Sequence, residues 1–245
     1  MAAPMITVEE NDSLVANSLC SFVIERANEA IEKRGKFFIG LSGGSVVKYL
    51  CNGLPSLKTD WSKWRIFFCD ERFVSYDNPD CTYTPYKEGL ADKVEMLIDV
   101  NIYPIKPELP VEECAKDYAS KMLKCFDIKS GFPRFDVLIL GMGPDGHTCS
   151  LFPGHPLLEE SSKVIAAITD SPKPPPSRVT MTLPVVNNCR NAVFASCGAS
   201  KAEMVQRVLE GNESPPLPAA MVRPTDGSLH WFLDKAAAAN LKNKL

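Results

Sequence analysis

Three short apolar runs each break off at glycines or at a charged triplet, and this punctuation limits the chain more than any bulk property. Lys36-Phe37-Phe38-Ile39-Gly40-Leu41 stops at Ser42-Gly43-Gly44, Trp64-Arg65-Ile66-Phe67-Phe68 runs into Asp70-Glu71-Arg72, and Phe135-Asp136-Val137-Leu138-Ile139-Leu140 ends at Gly141-Met142-Gly143. Apolar runs that are continuous rather than alternating read as strands buried on both faces. Between them lie segments of helical period. Val15, Leu19, Phe22, Val23, Ala27, Ala30 and Ile31 follow Asp12 or Ser13 as N-cap and stop near Gly35. Ser45 to Leu50 opens a helix, Val111, Cys114, Tyr118, Met122 and Cys125 mark another after Pro110, and a further one runs from Ser200 to Glu210, closed by Gly211. Later strands are expected at 163–168, 178–183, 192–195 and 229–233, with Asp234 capping a short alanine-rich C-terminal helix. The alternation predicts one α/β domain over residues 1–245: a mostly parallel sheet with helices on both faces, a Rossmann-like three-layer sandwich. In such sheets ligands sit at the carboxyl ends of strands, so the places where the runs stop are the places to search. The proline-rich segments 171–177 and 214–218 read as surface loops.

Composition narrows the partners. With 27 Lys+Arg against 30 Asp+Glu the formal net charge is −3, whereas nucleic-acid backbones are bound by clustered excess of Lys and Arg. Any anionic ligand must therefore be held by a few local groups. None of the nine cysteines stands in a C-x-x-C spacing, so no structural zinc is expected, and most lie among apolar neighbours as small core residues of a reducing compartment. The start of the chain lacks a basic n-region, and no apolar run approaches the ~18 residues of a membrane span. The expectation is a cytoplasmic monomer that touches neither nucleic acid nor membrane.

Four constellations mark the strand ends. Ser42-Gly43-Gly44, between strand and helix, can turn backbone N–H groups toward an anion beside a helix N-terminus, although an ordinary steric turn would read the same. Gly141-Met142-Gly143-Pro144-Asp145-Gly146-His147 matches the G-x-G-x-x-G dinucleotide pattern. Pro144 in the turn and the mid-chain position weigh against that reading. What the loop does supply is His147 beside Asp145, and a histidine with a carboxylate neighbour is a natural general base near neutral pH. His155 and His230 are expected to pack. Asp70-Glu71-Arg72 could be a salt-bridged surface loop, and gains weight only from its position at a strand end. Lys201 opposes the dipole of the helix it opens, a conflict that a bound anion would remove.

The stretch Asp145-Gly146-His147-Thr148-Cys149-Ser150-Leu151-Phe152-Pro153-Gly154 resembles the signature of the 6-phosphogluconolactonases. Leu41-Ser42-Gly43-Gly44-Ser45, Asp70-Glu71-Arg72-Phe73-Val74, Phe135 to Gly143, Arg178-Val179-Thr180-Met181-Thr182-Leu183 and Gly198-Ala199-Ser200-Lys201 are similar to family motifs in family order. Cys149 departs from the alanine more often found there and is marked as a candidate thiol-sensitive position. The resemblance implies a cofactor-free hydrolysis of 6-phosphoglucono-δ-lactone in the oxidative pentose phosphate pathway. His147 would be the base, oriented by Asp145. Ser42, Gly43, Gly44 and Lys201 would hold the phosphate, Arg72 and Arg178 would serve phosphate or carbonyl, and Asp70 would share the pocket, with no metal. The same superfamily holds glucosamine-6-phosphate deaminases, whose loop typically reads Asn-Glu-Pro where Leu151-Phe152-Pro153 stand here. That alternative, and a phosphosugar-binding regulator without catalysis, remain open at this point.

Overall fold

The computed structural model describes residues 3–94 and 101–242. Its main sheet holds six strands, all parallel to their neighbours: β1 (Met5–Glu9), β2 (Phe37–Leu41), β3 (Trp64–Phe68), β5 (Val137–Leu140), β8 (Asn191–Ser196) and β9 (Ser228–Asp234), in the order β1-β9-β8-β5-β2-β3. Alternate residues feed two cores. Phe37, Ile39, Leu41, Ile66 and Phe68 pack with α1 (Asp12–Arg34), α2 (Ser45–Gly53) and α3 (Tyr83–Gly89). Phe67, Leu138, Leu140 and Phe194 face the opposite way, onto α4 (Val111–Cys125), α5 (Leu183–Val186) and α6 (Ala202–Glu210). Strands covered on both faces are the reason these runs are apolar throughout. The mostly parallel α/β sheet with helices on both faces is as the sequence pattern implies.

Several local expectations change. The cap of α1 is Asn11, whose side chain accepts from Leu14 N at 3.1 Å, rather than Asp12 or Ser13. Residues 235–240 form hydrogen-bonded turns rather than a helix, although Asp234 does accept from Ala237 N at 2.7 Å. The Ser200–Glu210 helix divides into a 3-10 turn, Ala199–Lys201, followed by α6. The strand at the amino end, β1, is not among the expected ones; its Met5-Ile6-Thr7-Val8 stretch is mostly exposed, unlike the runs buried on both faces.

The strands expected at 163–168 and 178–183 are not in the main sheet. They are β6 (Ile165–Ile168) and β7 (Arg178–Met181) of a separate antiparallel sheet, whose third strand is β4 (Asp70–Arg72). The charged triplet is thus a strand, and its register sets Arg72 directly opposite Arg178.

The chain winds outward from β2 to β3, then crosses back to β5 on the other side of β2 and continues to β8 and β9. Strand direction of travel therefore reverses between β2 and β5, which opens a crevice at their carboxyl ends.

Candidate active site

The loops after β2 and β5 flank that crevice, and the predicted residues meet there. One cavity of about 230 Å³ is lined by Ser42, Gly43 and Gly44 after β2, by Asp70 and Arg72 of β4, by His147, by Arg178 of β7 and by Lys201. Asp145 does not line it; the carboxylate stands behind the imidazole. Gly44 has φ +85°, and Gly44 is the cap of α2, so the turn presents backbone N–H groups at a helix start. Ser42 Oγ is buried without a hydrogen-bond partner, a polar group left for a ligand.

His147 Nδ1 lies 2.5 Å from Asp145 Oδ1. A carboxylate at that distance fixes the Nδ1–H tautomer and leaves Nε2 as the basic nitrogen. The ring also packs on Phe152 at 4.7 Å between centroids. Burial lowers the His147 pKa below 6.5, with Lys173 acting in the same direction and Asp145 and Asp70 opposing. The imidazole is thus neutral, the form a base needs at neutral pH. Burial alone would raise Asp145; hydrogen bonds from His147 and Lys173 outweigh it and hold the carboxyl down to about 2.

Why the loop needs glycine is visible at Gly143. A Cβ there would stand 2.0 Å from His147 Nδ1 and Cε1, so the imidazole lies directly on this backbone. The loop runs on into turns, not into a helix. It lacks the helix N-terminus on which a pyrophosphate rests in dinucleotide folds.

The three cations facing the cavity are held by main-chain carbonyls. Lys201 Nζ reaches Met142 O at 2.8 Å, and burial lowers its pKa. Arg72 Nη1 donates to Asp80 O at 3.2 Å. Arg178 commits Nε to Pro175 O and Nη2 to the carbonyls of Lys173 and Pro174 at 3.0–3.1 Å, which ties down the loop before β7. Like charges opposite each other across a strand pair repel, so Arg72 and Arg178 together favour an anion between them. Asp70 accepts instead from Ser150 Oγ at 2.7 Å.

Sequence reasoning missed Lys173. Its segment, 171–177, reads as a bystander loop, yet it carries the ammonium to 3.0 Å from Asp145 Oδ1 and 3.4 Å from His147 Nδ1. A lysine set among prolines just before a predicted site arginine was the available signal. Glu71 accepts from the backbone N–H groups of Arg72, Thr82 and Tyr83, and burial pushes its carboxyl up to about 7 against those bonds. It braces the entry to α3. Cys149 lines the cavity, but its hydrogen bond with Cys69 and its burial push the thiol well above its usual range, which argues against ready attack by thiol reagents. Its φ of +50° is unusual for a side-chain-bearing residue. His155 does not pack so much as cap: Nδ1 accepts from Leu157 N, and Nε2 meets Asp170 at 3.1 Å. His230 does pack, against Phe22, with Nε2 buried and unpartnered.

The model of the glucosamine-6-phosphate isomerases/6-phosphogluconolactonase family matches residues 10–231. The chain belongs to that family. It is 48% identical to a rat 6-phosphogluconolactonase, over 97% of this chain and 95% of that one, and 47% identical to the human 6-phosphogluconolactonase with the same coverage. Among solved structures, 6-phosphogluconolactonase from Trypanosoma brucei superposes with a TM-score of 0.85 at 26% identity, covering 98% of this chain and 100% of the other.

Proposed function

We propose that the chain hydrolyses 6-phosphoglucono-δ-lactone to 6-phosphogluconate, with His147 as general base. The observation that carries this is the His147–Asp145 pair, which turns one neutral imidazole toward a cavity lined by Arg72, Arg178 and Lys201. Family membership and the lactonase relatives support it. A δ-lactone is an activated ester and needs only a base for water and a positive region for the tetrahedral oxyanion. Nε2 takes a proton from water as the oxygen attacks C1. As the intermediate collapses, the imidazolium returns that proton to the departing ring oxygen. Asp145 stays ionised throughout, because two donors hold it. The phosphate sits on the 42–44 turn with Lys201, and the Arg72–Arg178 pair takes the rest of the phosphate's charge. Arg178, with Nε and Nη2 already engaged on the loop, has less to offer a ligand than Arg72 does.

The deaminase reading is weaker on this geometry. Ring opening and isomerisation call for a second acid, yet Leu151 and Phe152 are core residues, and Asp70 is the one carboxylate lining the cavity among the described residues. All nine cysteines are free thiols, which suits a reducing compartment such as the cytoplasm, and no helix of the described residues is long and apolar enough to cross a membrane. Purified protein should open the phosphorylated lactone and release no ammonia from glucosamine 6-phosphate. Ammonia release without lactone hydrolysis would overturn the assignment, and phosphosugar binding without either reaction would favour a regulator.

A further inference from the structure

The geometry points to Lys173 as a positioning residue that fixes Asp145 and keeps the imidazole of His147 in its unprotonated Nδ1–H form, a role resting on His147 being the base proposed above. Lys173 does not line the cavity, so it stands behind the base rather than against the substrate. Its Nζ and His147 Nδ1 share one atom, Asp145 Oδ1, at 3.0 and 2.5 Å. A carboxylate alone behind an imidazole stabilises the imidazolium and would protonate the base too early. An ammonium on the same oxygen offsets that pull and, 3.4 Å from Nδ1, repels a second positive charge directly.

The groups facing His147 come from several elements. Asp145 on its own loop and Asp70 on β4 favour the imidazolium; Lys173 on the loop before β7 opposes it. Lys201 is held on Met142 O, in the same loop as His147, and the Arg178 guanidinium lies 5.7 Å over the Phe152 ring that also supports the imidazole. Lys173 is the cation in contact with the dyad, and its own backbone is fixed. Its carbonyl accepts from Arg178 Nη2 at 3.1 Å and from Ser171 Oγ at 2.8 Å, and its N–H donates to Ser171 Oγ at 3.2 Å. Arg178, a lining residue, therefore anchors the segment that sets the state of the base.

The test is an NMR titration of the His147 imidazole, readable because the chain has three histidines and His147→Gln assigns the signal. Lys173→Met should raise the imidazole pKa by about one unit. The acid limb of kcat/KM should move up equally, so that turnover below the limb falls about tenfold while KM and the alkaline plateau hold. Lys173→Arg should restore the wild-type profile. Should Lys173→Met fail to fold, Lys173→Gln, which keeps a hydrogen bond to Asp145 without the charge, makes the same comparison. An imidazole that titrates at the wild-type pH in the neutral variants overturns the role, whatever happens to turnover. Full turnover in His147→Gln would instead overturn the base, a result the titration does not depend on.

Discussion

The two ends of the six-stranded sheet both gather arginines and aspartates, and they treat them differently. At the amino end, Asp136 accepts from Arg34 at 2.8 Å, meets Arg190 Nε at 3.3 Å and caps Phe38 N at 2.9 Å, while Arg134 pairs with Asp226 and Arg26 with Glu29. Every arginine of that group has a carboxylate. At the carboxyl end, Arg72, Arg178 and Lys201 rest on neutral carbonyls, and the carboxylate among them, Asp70, turns to a serine. Carbonyls orient a cation without cancelling its charge. The difference separates a network that closes on itself from one arranged to receive an anion.

If that contrast holds, damage at the carboxyl end should appear in kinetics and damage at the amino end in stability. The largest effect belongs to His147→Gln, which should lower kcat about 10²–10⁴-fold with KM nearly unchanged, as befits loss of a general base. In the wild type, burial, helped by Lys173, lowers the imidazole pKa more than Asp145 and Asp70 raise it, so the acid limb of kcat/KM should have its midpoint below pH 6.5, with activity lost as the pH falls through it. Gly143→Ala comes next. The new methyl would displace the imidazole it meets at 2.0 Å, and misplacement of a catalytic group by about 1 Å costs on the order of 10²-fold in kcat. Arg72→Ala removes a charged donor from the phosphosugar, which should raise KM roughly tenfold and leave hydrolysis of unphosphorylated gluconolactone unchanged. A proportional loss on both lactones would move Arg72 from binding to the chemistry.

Much of the carboxyl end is legible because its signals are local. A strand stopping at Ser42-Gly43-Gly44, or at Gly141-Met142-Gly143 ahead of His147, is written in adjacent residues. The antiparallel sheet is not: Asp70-Glu71-Arg72 becomes a strand only because β7 lies beside it, a pairing of residues more than a hundred positions apart. Lys173 is only half legible: its place among prolines just before Arg178 is a local signal, but nothing adjacent says that this loop will land on Asp145, 28 positions away. Nothing in the sequence announces the amino-end cluster. Arg34, Asp136 and Arg190 are separated by whole helices and strands, and although Asp136 stands inside an apolar run, neither arginine alone points to it.

That cluster gives the smallest kinetic effect and so the sharpest control. Burial pushes the Asp136 carboxyl up despite two arginines, so the ion pairs themselves add little beyond the cost of desolvating the group. Deleting the side chain is another matter, because Asp136→Ala strands the Phe38 N–H and leaves Arg34 and Arg190 facing each other. Breaking a fully buried pair costs more, but both arginines stay about a third exposed, and a loss of about 2 kcal/mol is expected. Denaturant unfolding measures it, and kcat and KM of the folded protein should match wild type. A fall in kcat with stability preserved would mean that charge at the amino end reaches the site through the sheet, and the division between the two ends would fail.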